Sequence, residues 1–127
     1  MIEAAAKAER PRIVMRGWTD RPAALISAAD VLVMPSLFEG VPLSMLEAMV
    51  LGTPVLGSDI DVFREYLPSE NVIDFQSARL DEAIVGAVAR RDAFAEQAAR
   101  KLAEQSPERS RKAFADAVFD PLAVGIA

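Results

Sequence analysis

Two glutamates eight positions apart are the residues of this sequence best placed to do chemistry. Glu39 lies beside Gly40 in the segment PSLFEGVPLSMLEAMVLGTP, and Glu47 lies in a helix predicted to open at Pro42. At about 1.5 Å per residue, Glu47 should lie roughly 7.5 Å along that helix. Two acceptors held apart in this way suit an extended, hydroxyl-rich ligand better than one metal ion. Hydrolysis of a glycosidic bond is disfavoured, because both carboxylates would have to flank a single bond.

The loop 36–41 between the predicted strand 31–34 and the predicted helix 42–51 is a candidate anion site. In open α/β sheets, ligands bind beyond the carboxyl ends of the strands, where this loop should lie. Its N–H groups and the N-terminus of the helix would face an anion. Gly40 is expected to allow a positive φ and the close approach of a ligand. Pro42 suits the first helical turn, where an N–H would lack an intrahelical partner.

Alternating apolar segments predict the elements that position this loop. Strands are predicted at 12–16, 31–34, 54–57 and 71–75, and helices at 21–29, 42–51, 62–67, 80–90, 92–104 and 107–118, with the end of another helix at 3–9. Crossover connections between successive strands predict a parallel sheet. The pattern therefore indicates an α/β, Rossmann-like parallel sheet that ends in helices. We interpret residues 1–127 as a single partial domain, with a core at 12–78 and C-terminal helices at 79–119.

Apolar spacing also predicts the buried face of each helix. The inward residues are predicted to be Leu43, Leu46, Met49 and Val50 in the helix 42–51, Leu80, Ile84, Val85 and Val88 in the helix 80–90, and Phe94, Ala98 and Leu102 in the helix 92–104. Ser44 and Glu47 should share the opposite side of the first of these helices. Gly52 is suited to ending that helix. Asp59 and Asp61 are expected to cap the next helix rather than to bind a metal.

Composition excludes several classes of protein. The 127 residues carry a net charge of −5, with scattered basic residues, so no nucleic-acid-binding face is expected. The absence of cysteine and histidine removes disulfides, thiolate sites and the commonest general base. No apolar run approaches a membrane span, and the N-terminus lacks a signal-peptide core. These features favour a cytoplasmic location.

The segment 35–55 resembles a known family signature. Its pattern P-S-x-x-E-G-x-P-x-x-x-x-E-A-M-x-x-G-x-P-V is similar to the Glu-x7-Glu motif of retaining, nucleotide-sugar-dependent glycosyltransferases with the GT-B fold, the group 1 glycosyl transferases. The resemblance extends over roughly residues 12–105. It implies a nucleotide-diphosphate sugar as the donor substrate, with no further cofactor and no metal. The chain would correspond to part of the C-terminal, donor-binding half of a GT-B enzyme.

The resemblance implies a role for each matching residue. Glu39 would be the catalytic residue and, with the amides after it, would hold the donor hexose, while Glu47 would accept from the ribose hydroxyls. The implied donor-binding residues are Ser36, Glu39, Gly40, Val41, Pro42, Leu43 and Glu47, with Gly17 and Trp18 lining the base pocket. For Ser36, capping of the loop is the alternative to contact with phosphate. For Gly17 and Trp18, the alternative is a turn glycine and a packing tryptophan.

The same resemblance implies missing parts. The acceptor, a sugar or a lipid-linked molecule, would bind an N-terminal half, and an Arg and a Lys that clamp the diphosphate have no counterpart here. We therefore expect a donor-binding domain that is inactive alone; the alternative is a non-catalytic nucleotide-sugar-binding or interaction module. A lipid-linked acceptor would place the protein at the inner face of the membrane.

Strand order sharpens this expectation. In the order 3-2-1-4-5-6, the strand 12–15 would be the third and the strand 31–34 the fourth, so their intervening neighbours are missing. Either 12–15 pairs with 31–34, or the sheet keeps an open apolar edge that recruits a second copy or a companion chain.

Overall fold

The computed structural model of the chain describes residues 12–119, so the predicted helix at 3–9 lies outside the described range. Within this range there are three strands, namely β1 (Leu32–Met34), β2 (Val55–Ser58) and β3 (Val72–Ile73). The helices are α1 (Pro22–Ala28), α2 (Leu43–Leu51), α3 (Asp61–Tyr66), α4 (Leu80–Ala89), α5 (Arg91–Glu104) and α6 (Pro107–Phe119), and a 3-10 turn covers Ser69–Asn71. Every predicted helix within this range is confirmed, with boundaries shifted by one or two residues.

The sheet is parallel, in the order β1-β2-β3. Leu32 pairs with Val55 and Met34 with Gly57, while Gly57 pairs on its other side with Val72. The helix α2 connects β1 to β2, and α3 lies between β2 and β3, as crossovers between parallel strands require. The predicted α/β class is confirmed: the chain folds as a partial Rossmann-like domain in which β2 is the central strand.

The strand predicted at 12–16 is wrong. Residues 12–19 form no strand, and the side chains of Ile13, Met15 and Trp18 are exposed. A strand gains stability only when its backbone pairs with a neighbour and its side chains pack. This segment pairs with neither edge strand of the sheet, β1 nor β3, so it lacks the paired backbone that a strand needs. Within the described residues, the outer edge of β1 therefore stays open.

The core lies between β2 and three helices. Its buried residues include Met45, Ala48 and Met49 of α2, Val55 of β2, Val62 and Phe63 of α3, and Phe94 and Ala98 of α5. The predicted inward face of α5 is confirmed, with Leu102 partly buried beside it. Because β2 has a strand on each side and helices packed against it, its apolar residues lose all contact with solvent.

The predicted inward face of α2 is wrong in part. Leu43 and Val50 are 73% and 72% exposed, whereas Met45 and Ala48 are fully buried. The reason is that α2 packs against both α1 and α5, so the buried stripe follows those helices. Met49, which was predicted inward, is buried.

The helix α4 shows the same kind of error. Leu80, Val85 and Val88 are exposed although they were predicted to pack inward, and Ala87 is the buried residue. Ile84 is half-buried. A short, mostly apolar helix offers several possible inward faces, and its neighbours select one of them.

Gly52 ends α2 as predicted. Its φ of 72° is in the left-handed region, and its N–H donates to the carbonyls of Ala48 and Met49. The next residue, Thr53, donates its N–H to Ala48 at 2.9 Å and its hydroxyl to the carbonyl of Ile26 at 2.9 Å. These bonds fix the end of α2 and tie it to α1.

Candidate functional site

The motif loop 35–42 lies at the carboxyl end of β1, beside the carboxyl ends of β2 and β3. A groove of about 320 Å³ runs across all three strand ends. Its lining includes Ser36 and Leu37 from the motif loop, Ser58–Ile60 after β2, and Asp74–Gln76 after β3. This is the edge at which open parallel sheets bind ligands.

Glu39 is held by a chain of hydrogen bonds. The hydroxyl of Ser36 donates to Oε1 of Glu39 at 2.9 Å. The hydroxyl of Ser58, at the end of β2, donates to the carbonyl oxygen of Ser36. Ser36 therefore donates its hydroxyl proton to another residue of the same loop, as the capping interpretation of this residue would have it.

Glu39 also lines a second groove of about 340 Å³, formed by the motif loop and the start of α3. The two grooves share Leu37, Asp59 and Ile60, so they adjoin along the loop after β2. Glu39 is half-buried here. The carboxylate thus lines a groove that adjoins the groove across the strand ends.

Asp59 and Asp61 are engaged by Arg64 on the wall of this second groove. Nε of Arg64 lies 2.6 Å from Oδ1 of Asp59, and Nη1 lies 2.6 Å from Oδ1 of Asp61. The hydrogen bond to Asp59, followed by its negative charge, raises the pKa of Arg64. The prediction that these aspartates cap α3 is wrong, because its N-cap is Ile60 and no side chain caps it. The guanidinium draws both carboxylates away from the helix end.

Glu47 lies in a different groove from Glu39. It is half-buried beside an apolar groove of about 300 Å³ between α1 and α2. The other lining residues are Ala23, Leu43, Leu46, Val50 and Leu51. One carboxylate on an otherwise apolar surface can accept hydrogen bonds from a ligand whose remainder packs on the aliphatic side chains. The two glutamates thus line separate grooves.

The residues between the two glutamates form the start of α2. Pro42 is the N-cap, and its carbonyl accepts from the N–H groups of Met45 and Leu46 at 3.1 and 3.3 Å. Val41 and Leu43 are exposed. Gly40 does not use the positive φ that glycine allows; the positive-φ glycines in the described range are Gly17 and Gly52. Gly40 nevertheless has open space where a side chain would begin, with no atom within 4 Å.

Gly17 and Trp18 are not brought to either glutamate. Gly17 has a φ of 66°, as a turn glycine does, and Trp18 is 88% exposed. Neither lines the grooves of Glu39 or Glu47. The packing alternative for Trp18 is wrong within the described part of the chain, and its role at a base pocket stays a prediction.

The family model described as "Glycosyl transferases group 1" matches residues 1–104. The chain belongs to the group 1 glycosyl transferases. Two curated relatives from Escherichia coli match a shorter stretch. The UDP-Gal:alpha-D-GlcNAc-diphosphoundecaprenol alpha-1,3-galactosyltransferase is 40% identical over 52 residues, which are 41% of this chain and 13% of the relative. The O-antigen biosynthesis glycosyltransferase WclY is 41% identical over 54 residues, which are 42% of this chain and 15% of the relative.

This group 1 glycosyl transferase thus aligns with only about a seventh of the length of those relatives. No solved structure matches the chain significantly. None of the helices within residues 12–119 combines the length and apolar character needed to cross a bilayer.

Two residues of the candidate site were not identified from the sequence. Ser58 lies just beyond the predicted strand 54–57, but it is the last residue of β2 and its hydroxyl donates to the motif loop. Asp74 accepts from the N–H of Gln76 at 3.0 Å and from the hydroxyl of Ser77 at 2.8 Å. The Gln76 N–H is the main cause that lowers the pKa of Asp74. A polar residue at the end of each buried strand is the signal that could have found both.

Proposed function

We propose that this group 1 glycosyl transferase domain binds a nucleotide-diphosphate sugar, as part of the C-terminal half of a GT-B enzyme that transfers the sugar to an acceptor. One observation carries the proposal: in a chain of this family, Glu39 accepts a hydrogen bond from Ser36 in the loop at the carboxyl edge of a parallel sheet, and it lines a groove that adjoins the groove across the strand ends. The Glu-x7-Glu spacing assigns the donor sugar to this glutamate.

The donor would extend across the start of α2. Its hexose would lie at Glu39, with Ser36 and Gly40 beside it. Its diphosphate would lie at the first turn, near Val41, Pro42 and Leu43, where helix N–H groups lack intrahelical partners. Supporting this path, Glu39 precedes that turn in the chain, Glu47 follows it, and the two glutamates line separate grooves.

The nucleoside would occupy the apolar groove between α1 and α2. Glu47 would accept hydrogen bonds from the ribose diol, while Leu43, Leu46 and Val50 would pack against its apolar faces. Gly17 and Trp18 would contact the base, as the family resemblance implies, although they do not line this groove.

Catalysis would be mainly positional and electrostatic. Glu39 would fix the reacting sugar, and the N–H groups at the start of α2 would stabilise the negative charge of the departing diphosphate. The proposal includes no metal ion, so EDTA should leave donor affinity unchanged.

Calorimetry with UDP-galactose and UDP tests the binding assignment. UDP-galactose is the probe because UDP-Gal appears in the name of one relative. Loss of a charge-assisted bond typically costs about 1.5–3 kcal/mol, so Glu47→Ala should lower the affinity for both ligands about tenfold or more. Glu39→Ala should lower the affinity for UDP-galactose and leave the affinity for UDP unchanged. Glu82→Ala is the matched control, since Glu82 is an exposed glutamate that lines neither groove. Equal affinities for wild type and Glu47→Ala would remove Glu47 from the site.

We further propose that the isolated chain does not transfer sugar. The aligned segment is a small part of its relatives, and the diphosphate clamp and the acceptor-binding half would lie outside residues 1–127. The open edge of β1 and the exposed residues Ile13 and Met15 favour a companion chain or a second copy at this side, because unpaired strand edges recruit partners. The name of the first relative includes a lipid-linked molecule. An acceptor of this kind would place the complex in the cytoplasm, at the inner face of the membrane.

Size-exclusion chromatography with light scattering, run beside a donor-hydrolysis assay, tests this part. We expect a dimer, aggregates, or a monomer stabilised by a companion chain, and no turnover by the chain alone. A well-behaved monomer that turns over UDP-galactose unaided would contradict it. Donor binding that no companion converts into turnover would instead indicate the alternative, a non-catalytic nucleotide-sugar-binding module.

A further inference from the structure

The hydrogen bonds around Glu39 connect the motif loop to the centre of the sheet. Ser58 donates its hydroxyl to the carbonyl of Ser36, and Ser36 donates its own hydroxyl to Glu39. Ser58 and Ser36 are 22 residues apart in sequence, so this contact exists only in the folded chain. It is the step that joins the loop after β1 to the neighbouring strand.

We propose that Ser58 is a positioning residue for Glu39, and that it tunes affinity for the sugar part of the donor. The inference rests on the proposed function, because it uses the assignment of the sugar to Glu39. Ser58 acts through Ser36 and need not touch the ligand. Its hydroxyl holds the backbone of Ser36 in place, and this fixes the direction in which Ser36 presents its proton to Glu39.

β2 is a suitable anchor for such a contact. Val55, Leu56 and Gly57 are buried, and the strand is paired on both sides. The motif loop has far less support from packing, because Leu37 and Phe38 are largely exposed. A bond from the most restrained strand to the loop therefore limits loop motion more than a bond within the loop could.

Loss of this bond should affect the binding of the sugar and the binding of the nucleoside differently. Glu39 depends on the loop, whereas Glu47 lies inside α2 and lines the α1–α2 groove. Removing the Ser58 hydroxyl should therefore weaken contacts to the sugar and leave contacts to the nucleoside intact. A general loss of folding would weaken both.

The experiment titrates the whole chain with UDP-galactose and with UDP, using wild type, Ser58→Ala, Ser58→Thr and the control Ser69→Ala. Ser69 is an exposed serine in the 3-10 turn before β3. Because Ser58→Ala removes one neutral hydrogen bond, we expect the affinity for UDP-galactose to fall about three- to tenfold. The affinity for UDP should change less than about twofold. Ser58→Thr keeps the hydroxyl and should restore affinity for UDP-galactose. Equal loss for both ligands, or no loss for either, would overturn the proposal.

A second measurement decides the case in which the wild-type chain binds neither ligand. That result would count against the proposed function and not against the positioning role. NMR order parameters of the Glu39 and Gly40 amides report loop motion without a ligand. They should fall in Ser58→Ala and recover in Ser58→Thr, while those of Val55 and Leu56 stay unchanged. Unchanged loop order parameters in Ser58→Ala would overturn the positioning role.

Discussion

The central strand β2 and the open side of the sheet at β1 are built from similar apolar residues and differ in their surroundings. Val55 and Leu56 of β2 are fully buried, whereas the β1 residues are only half-buried. Earlier in the chain, Ile13 and Met15 are exposed and form no strand. Apolar and β-branched residues became a buried strand only where neighbouring elements existed to cover them.

The comparison shows that an apolar segment becomes buried only if other elements pack against it. β2 is covered within the chain, by paired strands on both sides and by α2, α3 and α5. β1 is paired with a strand on one side only. Mutations at the β2 core should therefore change stability strongly, and matched mutations at exposed positions should not.

The largest effect is expected for Phe63→Ala. The Phe63 side chain is fully buried beneath β2, so truncation removes its apolar contacts and leaves a cavity. Such changes cost about 3–5 kcal/mol of the free energy of unfolding. Urea denaturation followed by circular dichroism would measure this.

Phe38→Ala is the matched control, because Phe38 is 88% exposed in the motif loop. Its free energy of unfolding should stay within about 0.5 kcal/mol of wild type. Similar losses in the free energy of unfolding for the two variants would contradict the burial of Phe63 and the exposure of Phe38.

A medium effect is expected for Gly57→Ala. A Cβ at this position would lie 2.6 Å from Cγ of Phe63, too close for the ring to remain in place. Overpacking of this kind costs about 1–3 kcal/mol. Gly40→Ala adds the same methyl group where no atom lies within 4 Å, so the same urea titration should show almost no change. Equal destabilisation by both would rule out the close contact with Phe63.

The smallest effect is a pH dependence at Asp74, on the groove at the carboxyl edge. Hydrogen bonds, first from the Gln76 N–H and then from the Ser77 hydroxyl, lower the pKa of Asp74 in the folded state. A lowered folded pKa adds stability above the ordinary aspartate pKa of about 3.9, and this stability is lost as pH falls through the folded value.

The measurement is the difference in unfolding free energy between wild type and Asp74→Asn at neutral pH and at about pH 3. We expect the advantage of wild type to shrink in acid. An advantage that is constant with pH would show that the ionised carboxylate does not stabilise the fold.

Local patterns predicted the elements that local interactions specify. The apolar run before Pro35 became β1, and the left-handed end of α2 at Gly52 followed from the conformational freedom of glycine. Phe94 and Ala98 mark the buried face of α5 because that longer helix has one clear apolar stripe. Parallel strand order followed from the crossover connections.

Properties that depend on distant residues were not predictable in this way. The buried face of α2 was set by α1 and α5, which no periodicity within α2 reveals. Asp59 and Asp61 turned from expected caps into partners of Arg64, because a nearby guanidinium competes with the helix end.

From the sequence alone one could read the alternation of strands and helices, the family motif and the two glutamates. The fold was needed to show which apolar segments are buried, that Glu39 and Glu47 line different grooves, and that Ser58 reaches the motif loop. The difference lies in how far along the chain the responsible interactions reach. Turn, cap and period signals act within a few residues, whereas burial and the Ser58 contact depend on neighbours that chain topology alone brings together.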